Sequence, residues 1–272
     1  MTIVHPVASL ASPAMQEIWE PKQKYALERQ WWIWVMTEQR RFGVDIPAEA
    51  IEDYRQAAGP ERVDLESIAR RETVTRHDVK ARLEEFNALA GGWQHAHKGM
   101  TGRDLDDNVE MIQAIRATRL LAQRLRPVNE NAAEQLDRSG RHRELRGVWG
   151  PVGTGQDMTE LLGGLDQLIW MNFRLSVWAG VNHFTPLPSY GQVYPRSVDY
   201  AMLSEVLSTV GFHVDRQWRT LIRGYCQMVS ELAGNQWNEG DVSCSVVRRV
   251  ALADAFLAAD AGLSERLKGQ NL

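Results

Sequence analysis

The chain has 272 residues, with 31 Lys and Arg against 35 Asp and Glu, a formal net charge of −4, 44% hydrophobic and 24% charged residues. That is enough for one large domain or two, and the balance excludes a disordered chain, a collagen and a disulfide scaffold. A mildly acidic total argues against nucleic acid as the main partner. Trp (10) outnumbers Tyr (6) and Phe (6), and the basic residues are 26 Arg to 5 Lys. Arginine is the better fork for carboxylate and phosphate, and an arginine-rich coding bias explains the surplus equally well. Two cysteines, Cys226 and Cys244, point to a reducing compartment without a disulfide framework. Met1 to Ala14 carries no Lys or Arg, unlike a secretory signal, and no apolar run approaches the roughly 20 residues that span a bilayer. The expectation is a soluble, cytoplasmic protein with no membrane partner.

In chain order, residues up to about Pro21 are expected to form an arm. Lys24 to Arg41 reads as a helix, with Leu27, Trp31, Trp34 and Val35 on one face and Gly43 at its end. Pro47 opens a short helix to Ala58, closed by Gly59-Pro60. Asp64 to Arg71 is a further short helix, and Thr75 is placed to cap the one from His77 to Ala90, which Gly91-Gly92 stops. From Arg103 to Arg126, Leu105, Val109, Ile112, Ile115, Leu121 and Leu125 form an apolar stripe that Pro127 is expected to interrupt, with a short helix from Asn129 to Arg138 beyond it. A glycine-rich loop follows to Gln156, then a buried helix over Asp157 to Val177 and an irregular Pro186 to Pro195 stretch. Val198 to Val210, Arg219 to Ala233 and Ser245 to Leu267 read as helices. The second carries Leu221, Ile222, Tyr225, Met228, Val229 and Leu232 at helical spacing, and the third ends at Gly269. No alternating run is long enough for a strand. The prediction is an all-α chain, a bundle of long helices with functional loops at their ends.

Three constellations carry chemistry. Thr75-Arg76-His77-Asp78 and His95-Ala96-His97-Lys98-Gly99-Met100-Thr101 gather histidines near a carboxylate and a lysine. That setting can tune imidazole into a general acid or base near neutral pH. His95 and His97 with His77 or Asp78 form an alternative zinc set, although their spacing matches no usual signature. A third possibility is a helix start whose His77-Asp78 merely caps and charges the first turn. Gly147 to Gln156 is a glycine loop leading into a helix, able to expose N–H groups to an anion but lacking the Gly-Lys-Ser/Thr ending of a P-loop. In Gln236 to Arg249, Ser245 and Arg249 sit four apart, so at a helix start they share a face that can grip carboxylate or phosphate; a solvated Arg248-Arg249 pair is the plain alternative. The Trp31-Trp32-Trp34 cluster reads as core.

These blocks, in order, resemble the adenylosuccinate lyase family of the fumarase/aspartase superfamily. They are Thr75 to Ala81, His97-Lys98-Gly99-Met100-Thr101-Gly102-Arg103-Asp104-Leu105, Arg146 to Asp157, Gly191 to Tyr200, Gln236 to Arg249 and Ala255-Phe256-Leu257, spread between Ile18 and Ala261. The resemblance implies a fumarase/aspartase-type bundle over residues 103–272, behind an N-terminal helical region over 1–102. It further implies a homotetramer whose active sites draw on three subunits, and elimination of fumarate from a succinyl-amine nucleotide such as adenylosuccinate, a step of purine nucleotide biosynthesis. Carried over by position, His77 and His97 match site histidines, Thr101 a contact to the substrate carboxylate, Gln156 a substrate-binding glutamine, and Ser245 and Arg249 the pair facing the nucleotide phosphate. No metal or organic cofactor is implied.

The chain also departs from the family pattern. Ser9-Leu10 stands where an Arg-Tyr pair is usual, and Thr101-Gly102 replaces a Thr-Ser pair. No Thr-His-x-x-Pro block with its general-acid histidine lies between Pro127 and Gly147, and Phe212 to Thr220 holds no serine where the loop carrying the base serine is expected. The family's small C-terminal helical domain is expected to be missing after about Leu263. Losing a general acid or base lowers rate by about 10²–10⁴. Two readings follow: an adenylosuccinate-lyase-type C–N lyase, or a catalytically impaired paralogue that serves as a helical oligomerisation or interaction protein.

Overall fold

In the computed structural model, residues 7–100, 102–138, 207, 210–211, 214–231 and 243–270 are described. Every regular element among them is helical: after a 3₁₀ turn at Ala8–Leu10 come α1 (Pro13–Trp19), α2 (Pro21–Arg41), α3 (Ala48–Gln56), a second 3₁₀ turn at Pro60–Arg62, α4 (Leu65–Thr75) and α5 (Asp78–Leu89). They are followed by α6 (Gly102–Arg138), α7 (Arg216–Ser230) and α8 (Ser243–Gln270). No helix of the described residues is long and apolar enough to cross a membrane. The described residues group into two compact units, one built from Trp19–Gln113, the other from residues 7–18, 114–138 and the described parts of 207–270.

The first unit is organised around α2. Pro21 opens it at a position where a missing N–H costs nothing, and Gly43, at φ +93°, turns the chain away from its end. Trp31, Trp32, Ile33, Val35 and Met36 are all buried, so α2 presents apolar surface almost all round and sits inside the unit rather than on it. Its cluster includes Tyr54 of α3, Phe86 of α5, and Leu105 and Val109 of α6. Trp34 departs from the expected stripe and stands exposed at 41%, edge-on to Trp31. The inward indoles are those of Trp31 and Trp32, the latter stacked on Phe86 with centroids 5.8 Å apart. A helix buried on several faces has no single stripe for spacing to reveal.

Four further boundaries differ from expectation. Where an arm is expected before Pro21, Ala8–Leu10 forms a 3₁₀ turn and Pro13–Trp19 a helix. Thr75 is the last residue of α4, and His77 itself caps α5. Pro127 lies within α6, which continues to Arg138. A proline removes one backbone donor and crowds the carbonyl four residues back, but a helix already nucleated over several turns loses that bond without losing its course. Gly269 likewise falls inside α8.

In the second unit, α7 packs on α8 through Trp218, Ile222 and Cys226, which are buried, while Leu221 and Met228 of the predicted stripe are exposed. Gly262 makes this approach close: a Cβ there would stand 2.9 Å from Trp218 Cβ and 2.9 Å from Val214 Cγ1. Buried Asp260 is the polar centre of the unit. Its carboxylate accepts from Arg124 of α6 at 2.6 Å and from the Ser12 backbone N–H at 2.6 Å. Leu207 and Val210, the described residues of the helix expected over 198–210, are helical and buried.

Candidate active site

The two histidine blocks meet in the first unit. α4 ends at Arg76, which takes a left-handed conformation (φ 51°, ψ 30°) and returns its N–H to the Glu72 carbonyl. That reversal lets Thr75 Oγ1 accept from the His77 N–H at 3.3 Å, and His77 begins α5. The cap is the imidazole: Nδ1 accepts from the Lys80 N–H at 3.4 Å, the task a Ser or Asp oxygen usually performs. His77 is 58% exposed, with Asp78 Oδ1 3.6 Å from Nδ1.

His97 comes from the loop between α5 and α6, and that loop is held at several points. Gly91 and Gly92, at φ +78° and +88°, turn the chain after α5. The buried Tyr54 hydroxyl accepts from the His95 N–H at 3.2 Å and the Ala96 N–H at 3.4 Å, and lies 2.6 Å from Asn87 Oδ1 and 2.8 Å from the Trp93 carbonyl oxygen. Gln39 donates to the Lys98 carbonyl at 2.9 Å. Between these anchors His97 adopts φ 69°, and Arg76 is the other described non-glycine residue with positive φ. Such a backbone persists in a side-chain-bearing residue only when its surroundings hold it.

The His97 ring sits edge-on to Trp32, whose Nε1–H donates to His97 Nδ1 at 2.9 Å. Burial, with the nearby His77 and Arg82 charges adding to it, pushes the His97 pKa down to about 4, so the ring is neutral at pH 7. His77 Cε1 lies 3.9 Å from where a Cβ of Gly102, the first residue of α6, would be. The capping residue of one helix therefore lies next to the first residue of another. Two helix N-termini, each carrying a partial positive charge, lie beside two imidazoles.

Behind this edge lies a buried ionic network. Arg82 of α5 donates from Nε to Glu28 of α2 at 2.6 Å, from Nη1 to Asp78 at 3.2 Å and from Nη2 to Asp106 of α6 at 3.0 Å. Its guanidinium also lies 5.0 Å from the Tyr25 ring centre. Burial disfavours the Arg82 charge, but Glu28, Asp106 and Asp78 more than offset it, and the guanidinium stays ionised. Burial drives Glu28 up to about 7 against the pull of Arg82 and Lys24. One Glu28 oxygen, Oε1, is buried without a hydrogen-bond partner among the described residues. The network ties three helices together immediately behind His77.

The remaining predicted residues fall elsewhere. Thr101, Gln156 and the Gly147 to Gln156 loop lie outside the described residues. Ser245 and Arg249 stand in the first two turns of α8, one turn apart, and Arg249 is exposed. His95 does not join the histidine pair: its Nδ1 receives Lys98 Nζ at 2.8 Å, and burial followed by the Lys98 charge lowers its pKa. Among the described residues no group of three or more His, Cys, Asp or Glu is arranged to hold a metal ion. Sequence reasoning passed over Tyr54, Arg82 and the polar role of Trp32. Apart from the Arg82–Asp78 pair one turn apart on α5, the contacts that place them span 24 to 65 positions, a separation that carries no periodic signal.

Comparison with known proteins agrees with this architecture. The muconate cycloisomerase of Acinetobacter calcoaceticus sp. ADP1 superposes with a TM-score of 0.71 over 98% of this chain and 77% of its own, at 13% identity. The fold is that of the fumarase/aspartase superfamily. Two further superfamily structures match at 13% identity: the 3-carboxy-cis,cis-muconate lactonizing enzyme of Pseudomonas putida (TM-score 0.66, covering 96% of this chain and 74% of that one) and a fumarate lyase from Mesorhizobium sp. BNC1 (0.57, 94% and 74%). No protein-family model matches the chain. By sequence, it is 26% identical to an adenylosuccinate lyase of Schistosoma mansoni over 328 aligned positions, which take in 89% of this chain and 67% of the relative. Since the alignment is longer than the 272-residue chain, it opens gaps on this chain's side.

Proposed function

We propose that the chain is a C–N lyase of the adenylosuccinate lyase type, acting in the cytoplasm on a succinyl-amine nucleotide and releasing fumarate. The observation that carries this reading is the meeting of the α5 and α6 N-termini at His77, with His97 alongside. Elimination begins with loss of a proton from the succinyl Cβ, which throws negative charge into the neighbouring carboxylate, and ends with protonation of the departing nitrogen. Fixed N–H donors and helix N-termini stabilise that developing charge, a contribution commonly worth 10²–10³ in rate for a single donor (about 2.7–4 kcal/mol). In this reading His77 and His97 face the reacting end and Thr101 contacts the substrate carboxylate. Gln156 binds the substrate, and Ser245 and Arg249 face the phosphate of the nucleotide, in a homotetramer without a metal or organic cofactor. The Schistosoma relative and the ordered blocks support it.

The test is fumarate release from adenylosuccinate by the purified chain. Turnover is expected, lowered about 10²- to 10³-fold by His97→Ala; no fumarate at high enzyme concentration would sink the proposal. The gapped alignment and the missing acid and base blocks favour a second reading, a non-catalytic helical partner that assembles with itself or with a full-length lyase. Co-purification with such a lyase, without turnover, would support it.

A further inference from the structure

We propose that Trp32 is a positioning residue that holds His97 as the Nε2–H tautomer, making His97 a neutral hydrogen-bond donor to a carboxylate rather than a proton-accepting base. The carboxylate part of this inference rests on the lyase reading; the tautomer part does not.

Indole nitrogen is a donor only, so the 2.9 Å contact from Trp32 Nε1 to His97 Nδ1 obliges Nδ1 to carry a lone pair. A neutral imidazole with an unprotonated Nδ1 holds its proton on Nε2. Taking up a second proton would place N–H against N–H and break the contact. The geometry leaves little slack for Trp32 to turn aside. It is 1% exposed, stacked on Phe86, and fixed on the innermost helix of its unit. The partner is equally held, since the loop carrying His97 is pinned by Tyr54 and Gln39 and the residue sits at φ 69°. His77 repeats the device by other means: a backbone N–H, that of Lys80, takes its Nδ1 and leaves Nε2 as its protonated edge in the neutral ring. Two imidazoles supported through Nδ1 and offering Nε2–H beside two helix N-termini make a set of donors, which suits an anion bearing carboxylates.

The experiment is long-range ¹H–¹⁵N correlation on ¹⁵N-histidine-labelled protein at pH 7, with and without fumarate. The wild-type spectrum is expected to show His97 with an unprotonated Nδ1 and a protonated Nε2, and fumarate is expected to shift the Nε2 resonance. Trp32→Phe, which keeps an aromatic ring but loses the donor, should give a mixture of tautomers and weaken fumarate binding about 2- to 12-fold, the equivalent of one ordinary hydrogen bond (about 0.5–1.5 kcal/mol). Phe86→Leu, which disturbs the packing of Trp32 but keeps its N–H, should leave the tautomer unchanged. A wild-type His97 protonated at Nδ1, a Trp32→Phe spectrum identical to wild type, or a His97 indifferent to fumarate would overturn the proposal. A chain with the expected spectra that releases no fumarate from adenylosuccinate refutes the lyase reading and leaves the tautomer assignment standing.

Discussion

Glu28→Gln is a direct probe of the buried network behind the histidine pair. In the folded protein the Glu28 pKa is pushed up to about 7 from an ordinary 4.5, because the carboxyl is fully buried and Arg82 and Lys24 only partly compensate. This is the reverse of a typical salt-bridged carboxylate. Below pH 4 the group is protonated in both states and contributes nothing to pH dependence. As pH rises from about 4.5, the unfolded chain ionises first, so the native state binds more protons and stability falls by up to about 1.4 kcal/mol per pH unit until the folded group ionises too. Between pH 5 and pH 8 that loss amounts to about 2–3 kcal/mol. Glutamine has nearly the same shape, can still accept from Arg82, and leaves Asp78 and Asp106 to balance the guanidinium. The variant should therefore gain on wild type by about 2–3 kcal/mol from pH 5 to pH 8. Urea unfolding at the two pH values, followed by far-ultraviolet circular dichroism, measures this gap. Parallel stability curves for the two proteins would refute the reasoning, because Glu28 would then titrate alike folded and unfolded.

Three further outcomes follow from packing and hydrogen bonding. Tyr54→Phe should cost about 2–4 kcal/mol and speed hydrogen exchange at the His95 and Ala96 amides, which lose their acceptor; unchanged exchange would show that the hydroxyl does not hold the loop. Gly262→Val should destabilise by about 3 kcal/mol through collision with Trp218 and Val214, whereas Gly224→Ala, with nothing within 4 Å of the new Cβ, should stabilise by up to about 1 kcal/mol. Thermal melts of the pair would contradict this packing if the order were reversed. The His97 ring should show no titration between pH 8 and 5.5 by NMR, and its neutral burial should cost stability as pH falls from 6.5 towards 4, where the unfolded residue is protonated first; a midpoint near 6.5 would show it to be solvated.

Much of the helical course was legible because it depends on local signals. The Gly43 and Gly91-Gly92 stops and the Leu105 to Leu125 stripe all act within a turn or two. The errors arise where tertiary surroundings decide. Trp32 rather than Trp34 turns inward because α2 is enclosed on several sides, and α6 continues through Pro127 because its length absorbs the lost bond. The histidine blocks were legible as a chemical cluster. What holds them in place was not: Tyr54 meets the His95 amide 41 positions away, and Trp32 meets His97 across 65. Such contacts are written in the fold, and no spacing rule reaches them.

The Asp260 clamp imposes an order on how the molecule can be made. Ser12 finds its acceptor 248 positions later and Arg124 finds its partner 136 positions later. At roughly 5–20 residues per second, the ribosome delivers Asp260 some 7 to 27 seconds after Arg124. For that interval the beginning of the chain has no acceptor to close upon, while every described contact among residues 19–113 is already within reach. The histidine pair belongs to the part that can settle early, and the residues joined by Asp260 to the part that must wait.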